Sequence, residues 1–366
     1  MKKENLICWA TIVCSIVLDG CNNKTGEYAP LQNRDSFIEL KGEQILPDAK
    51  FLYPQGLIVA GNSLLVQDND ERGFYTVLNI ENGDVLGYIG HQGMGPGEFL
   101  NMRNVTYSSV DSTLYVHDNI LGKGYYFHFL PDRPVISDLN RVSLIDFRAQ
   151  NSIMVQDTRP ISETSVVTNS PAEGNMFSVI DREGRRRYSF GKYPGDNTYI
   201  SDSITFPMRV QLLMAVSPSY DRFVAAGMHS DWLAFYKVDG DSATLLNEYF
   251  SEENQIGIKT LGDEKQIVYS AVYTPETKNY FTDLTSSPSY VYAKYSGNSK
   301  ADKENGTDKR QCILRFTWDG DFVDGFVLDG QCSCAAVTDD DSRIIGFAAA
   351  GEDEVILKEY KLPSPK

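Results

Sequence analysis

Two short patterns recur along this chain, and their recurrence limits the possible folds more than any other feature. The first is a compact β-rich run that closes on an acid. It reads Leu64-Leu65-Val66-Gln67-Asp68, then Leu114-Tyr115-Val116-His117-Asp118, then Ile153-Met154-Val155-Gln156-Asp157. Fainter copies at Phe223–Gly227, Tyr290–Lys294 and Ile344–Ala348 bring the count to six. The second pattern is a hairpin, found at residues 77–90, 177–190, 233–246 and 313–328. Each copy sets Asn-Gly, Glu-Gly or Asp-Gly between alternating apolar runs, a strong local turn signal because glycine reaches positive φ. A degenerate fifth copy at 125–139 turns on Pro131-Asp132-Arg133-Pro134.

The acids that close the first three runs stand 50 and 39 residues apart. Helical periodicity is scarce, and aromatics reach 11%, which favours strands. Six units of about four strands each specify an all-β, six-bladed β-propeller, with the acid-closed runs as inner strands. The propeller is expected over residues 37–362. Its last unit begins at Ser342 and ends with Val355–Leu362, which leaves no room for an outer strand. Phe37–Leu40, or the nearby Gln44-Ile45-Leu46, is the spare strand, and an N-terminal strand that closes the last blade removes an exposed edge. Two insertions stand out. Ser251–Thr285 carries an extra β run at Gln266–Tyr273, and Ser296–Gln311 is polar enough to be read as a mobile loop within blade five.

The first residues read as a targeting segment. Lys2 and Lys3 precede an apolar run, Leu6–Leu18, too short to span a bilayer comfortably. Leu18-Asp19-Gly20-Cys21 resembles a bacterial lipobox, which implies a signal peptide over 1–20, lipidation at Cys21 and a flexible tether over 21–36. In such lipoproteins Asp after the cysteine marks inner-membrane retention. Asn22 here implies the outer membrane, on its periplasmic side or at the cell surface. A net charge of −16 argues against a nucleic-acid partner and against an anionic membrane surface, so membrane contact is expected only through the lipid.

Cys8 and Cys14 would leave with the signal. Cys312, Cys332 and Cys334 then allow at most one internal disulfide, Cys312 with Cys332 or Cys334, and buried free thiols are the default. Cys332-Ser333-Cys334 has too few ligands for a metal motif. The four histidines, His91, His117, His128 and His229, show no zinc spacing, and no nucleophile elbow occurs. No cofactor is expected.

Gly90-x-x-Gly93-x-Gly95-Pro96-Gly97-Glu98-Phe99, followed by Leu114–Asp118, resembles an NHL-type propeller repeat. The resemblance implies that this corner crosses from the outer strand of one blade to the inner strand of the next. Tyr290-Val291-Tyr292-Ala293-Lys294-Tyr295-Ser296-Gly297 and Phe316-Thr317-Trp318-Asp319-Gly320-Asp321 resemble the TolB-like six-bladed propeller lipoproteins of Gram-negative bacteria, over about 37–362. That family brings no established catalytic residues, so none carries over.

Gln67, Asp68, His117, Asp118, Gln156 and Asp157 form the candidate binding rim, set at equivalent ends of three repeats. The acids can equally cap their own loops through backbone hydrogen bonds. Arg182, Arg185, Arg186 and Arg187 form a second candidate contact at a hairpin tip. The resulting expectation is a non-enzymatic binding or scaffolding module for a protein or small ligand. Two other readings stay open. One is a lactonase-like hydrolase with a metal held by channel carboxylates and Asn. The other is a glycan-uptake component that uses aromatics such as Tyr125, Tyr126 and Trp232.

Overall fold

A computed structural model describes residues 31–51, 53–95, 97–134, 141–147, 157–195, 205–263, 266–351 and 354–364. The proposed signal peptide, Cys21, most of the tether and Gln156 therefore lie outside the described residues. Two short strands come first, β1 (Ile38–Leu40) and β2 (Glu43–Ile45). Blade one is β3 (Gly56–Ala60), β4 (Ser63–Asp70), β5 (Gly73–Asn79) and β6 (Val85–Ile89). A corner of β7 (His91–Gln92) and β8 (Glu98–Phe99) leads into blade two. That blade holds β9 (Met102–Ser108), β10 (Thr113–Asp118), β11 (Lys123–His128) and β12 (Arg141–Asp146).

Blade three is β13 (Thr158–Ser162), β14 (Ser165–Thr168), β15 (Phe177–Asp181) and β16 (Arg186–Phe190). A short helix α1 (Phe206–Arg209) precedes blade four. Blade four is β17 (Leu212–Val216), β18 (Arg222–Gly227), β19 (Ser230–Asp239) and β20 (Ser242–Glu253). An inserted hairpin, β21 (Gly257–Asp263) and β22 (Gln266–Val272), follows. Blade five is β23 (Asn279–Ser286), β24 (Tyr290–Asn298), β25 (Cys312–Thr317) and β26 (Phe322–Leu328), with helix α2 (Lys300–Asn305) between its middle strands. Blade six supplies β27 (Cys332–Val337), β28 (Arg343–Ala349) and β29 (Val355–Lys361).

The turn glycines hold the hairpins where expected. Gly83, Gly184, Gly240 and Gly320 all take positive φ, from +47° to +92°, between the third and fourth strands of their blades. The chain termini close the ring. β2 pairs antiparallel with β29 through Gln44 and Lys358, so it is the fourth strand of blade six. The earlier run does something else: β1 pairs parallel with β26 and makes blade five five-stranded. Both N-terminal strands thus cover edges that would otherwise bare unpaired N–H and C=O groups.

The core is divided among the blade interfaces. Six apolar clusters each join two neighbouring blades. The one between blades three and four packs Phe177 and Phe190 against Phe223, Trp232 and Tyr236. Each blade buries both faces, which explains why the middle strands read as continuous apolar runs.

Two expectations need correction. The acid-closed runs Leu64–Asp68 and Leu114–Asp118 lie in β4 and β10, the second strands of their blades, not the innermost. Asp157 stands just before β13, an innermost strand, so the third copy is not equivalent to the first two. Ser296–Gln311 is also no plain loop. The Ser299 hydroxyl accepts from Asp302 N, and the Asp302 carboxylate accepts from Ser299 N, a reciprocal cap that starts α2. Gly306 ends it at φ +66°.

Candidate functional site: the channel and the entry face

The innermost strands β3, β9, β13, β17, β23 and β27 touch one another in sequence around a ring. They enclose a cavity of ≈ 160 Å³ on the propeller axis. Leu57, Ile58 and Val105 give it apolar wall, while Arg159 and Asp283 give it charge.

Arg159 is held from three sides. Its Nε donates to the Met214 carbonyl at 2.7 Å, and its Nη1 donates to Asp157 Oδ1 at 2.5 Å and to the Thr158 carbonyl at 2.9 Å. Burial raises the Asp157 pKa, and the adjacent guanidinium opposes that rise. Asp283 accepts from Leu284 N at 2.9 Å and, across the blade boundary, from Ala335 N at 2.7 Å. Burial raises its pKa too, opposed by Lys294. Lys294 is itself buried and spans blades five and six, donating to the carbonyls of Cys332 at 2.8 Å and Ser333 at 2.5 Å. At the far mouth Asp339 is pushed up by burial and then by its neighbours Asp340 and Asp341.

The candidate rim residues do not gather at one place. The Asp118 carboxylate is fully buried and accepts from Leu100 N (2.7 Å), Asn101 N (3.4 Å), Ile120 N (3.0 Å) and Leu121 N (2.8 Å). It staples the end of the glycine corner to the β10–β11 turn. Asp68 accepts from Tyr53 N at 2.6 Å and holds the segment that enters blade one. His117 is buried, its ring edge-on to Phe147 at 5.3 Å. Among the described residues neither ring nitrogen has a hydrogen-bond partner, and burial lowers its pKa to about 4. Gln67 accepts from the Tyr75 hydroxyl at 3.3 Å. Among the described rim residues only Asp157 lies beside the channel, through Arg159. Neither Arg159 nor Asp283 was picked out from the sequence, where no local pattern marks them.

The other sequence candidates fall as follows. Arg185 pairs with Asp181 and Glu183, and Arg187 with Asp241. Tyr125, Tyr126 and Trp232 are buried at 9%, 1% and 0% exposure, so they offer no platform for a sugar. Cys312, Cys332 and Cys334 are free and buried, and burial pushes the first two thiols up to about 11 and the third to about 12. Among the described residues, no three His, Cys, Asp or Glu side chains converge as metal ligands.

Exposed apolar side chains occur at both ends: Val85, Val110, Leu130, Leu245 and Leu246 lie toward the end where the innermost strands stop, and six others lie toward the end where they begin. Tyr53 and Met94 lie in segments entering blades one and two, and Ile120 lies in the β10–β11 turn on the same end. Leu261 and Val272 lie on the β21–β22 hairpin, with Tyr273 at its foot. The hairpin base is fixed. Arg209 donates to the Ile256 carbonyl at 2.7 Å, Gln211 donates to the Tyr273 hydroxyl at 2.6 Å, and the Tyr273 ring packs on His229 at 4.9 Å.

Comparison with known proteins bears on the architecture. The TolB-like 6-blade propeller-like family model matches residues 36–340. A crystal structure described as a putative exported protein from Bacteroides fragilis NCTC 9343 superposes with a TM-score of 0.53 at 12% identity, covering 90% of this chain and 96% of that one. A member of the DUF4221 family from Bacteroides vulgatus ATCC 8482 gives 0.55 at 9% identity, covering 88% and 96%. At these identities the likeness is one of fold. No curated protein matches the chain.

Proposed function

The chain belongs to the TolB-like six-blade propeller family, and we propose that it is an exported, lipid-anchored module that binds a protein partner at the outer membrane. The lipobox-like Leu18–Cys21 supports the anchor and Asn22 supports the outer membrane. One structural relative is described as an exported protein, which supports the compartment. The binding role rests on one observation: the inserted hairpin carries exposed Leu261 and Val272 on a base tied down by Arg209 and Gln211. A solvated hairpin with no partner has no need of apolar side chains on a rigid base, and such patches mark contact surfaces. Tyr53, Met94 and Ile120 extend the apolar character over the same end.

The test is a double substitution, Leu261→Glu with Val272→Glu, followed by pull-down from native membranes. Both side chains are exposed, so the melting temperature should hold while partner capture is lost. Undiminished capture by a folded double variant would remove the hairpin from the contact.

A further inference from the structure

We propose that the axial cavity binds a small zwitterion, an α-amino acid of alanine size, with Arg159 taking its carboxylate and Asp283 its ammonium group. This site is separate from the hairpin surface and stands or falls independently of it.

Arg159 lies three residues before the end of β13, and Asp283 three residues before the end of β23. Both residues line the axial cavity. Leu57 and Val105 line the same cavity from blades one and two. One cation and one anion thus line the same cavity from blades three and five, with blade four between them. They do not pair with each other: Arg159 bridges to Asp157, and Asp283 is satisfied by backbone N–H groups.

Each keeps unused capacity. Arg159 spends Nε and Nη1 on its fixed partners, while Nη2 makes no hydrogen bond among the described residues. Nη2 can still donate a charge-assisted hydrogen bond to a carboxylate oxygen. Asp283 spends one lone pair per oxygen on N–H donors, leaving acceptor sites for an ammonium group. Both are anchored before any ligand arrives, which limits the ordering cost of binding.

Size selects the class. The cavity is ≈ 160 Å³, and an apolar protein cavity of about 150 Å³ takes up one benzene. Alanine has as many non-hydrogen atoms as benzene. Its methyl group would meet the Leu57 and Val105 wall. A hexose is too large, and a lone carboxylate or amine would engage only one of the two sites of unused hydrogen-bonding capacity.

Isothermal titration of the purified protein with L-alanine, propionate and ethylamine tests the idea directly. The expected result is that alanine binds at least tenfold more tightly than either half-ligand. Arg159→Gln should weaken alanine at least tenfold and leave ethylamine unchanged, and Asp283→Asn should do the reverse for propionate. Equal binding of alanine and propionate, or no alanine binding at all, would overturn the proposal. The half-ligand comparison needs only the unsubstituted chain, so it remains decisive if a variant fails to fold.

Discussion

Replacing Asp118 tests how the entry loops are held. Its buried carboxylate accepts four backbone N–H groups, three of them within 3.0 Å. Asp118→Ala strands these donors, and each buried donor left unmade costs about 1–3 kcal/mol. Water can reach the turn side at Ile120, so the sum falls to about 3–5 kcal/mol, among the larger single-residue effects. Asp118→Asn keeps one acceptor oxygen and should cost about half as much. At about 2 °C per kcal/mol for a domain of this size, the alanine variant should melt about 6–10 °C lower. Calorimetry beside a control, Asp84→Ala, reads the difference, because Asp84 is an exposed hairpin acid whose loss should be nearly neutral. If Asp118→Ala melts within 2 °C of the control, the stapling argument fails.

Further outcomes follow from the same structure. His117 has its pKa lowered to about 4 by burial, so the unfolded chain binds its proton first as pH drops from about 6.5. Stability should be intact above pH 6.5 and fall by up to about 3 kcal/mol towards pH 4; His117→Phe should flatten that part of the pH profile of urea midpoints. Deleting residues up to Ile45 bares β29 and should cost several kcal/mol in denaturant midpoint, and an unchanged midpoint would place ring closure elsewhere. Cys312, Cys332 and Cys334 should resist alkylation in the native protein and all react after denaturation, as mapped by mass spectrometry. Cys21→Ser should abolish fatty-acid labelling and release the protein from membranes; continued labelling would end the lipid-anchor proposal.

Much of the architecture was legible because a propeller repeats its local rules. The glycine turns of the third and fourth strands are dictated by backbone sterics, and they occur where the sequence places them. Strand order within a blade was misjudged for a physical reason. The second strand is packed on both faces, so Leu64–Val66 and Leu114–Val116 are wholly buried and give the strongest β signal. The innermost strand borders a channel and accepts mixed residues, as Thr158-Arg159-Pro160 shows. The capping box of α2 was readable in Ser299-x-x-Asp302 but was hidden in a charged, polar stretch. Arg159 and Asp283 have no shared local pattern, since only the closure of the ring brings them to one cavity. Of the acids that stood out in the sequence, Asp68 and Asp118 hold loops and Asp157 braces Arg159 beside the channel, while Arg159 and Asp283 left no mark there.

Site-specific photo-crosslinking in living cells tests the central claim most directly. A photoreactive residue is placed at Leu261 on the hairpin and, separately, at Val110, an exposed position on the opposite end. The account predicts a discrete adduct from position 261 that disappears with Val272→Glu, and none from position 110. An adduct from position 110 alone would contradict it.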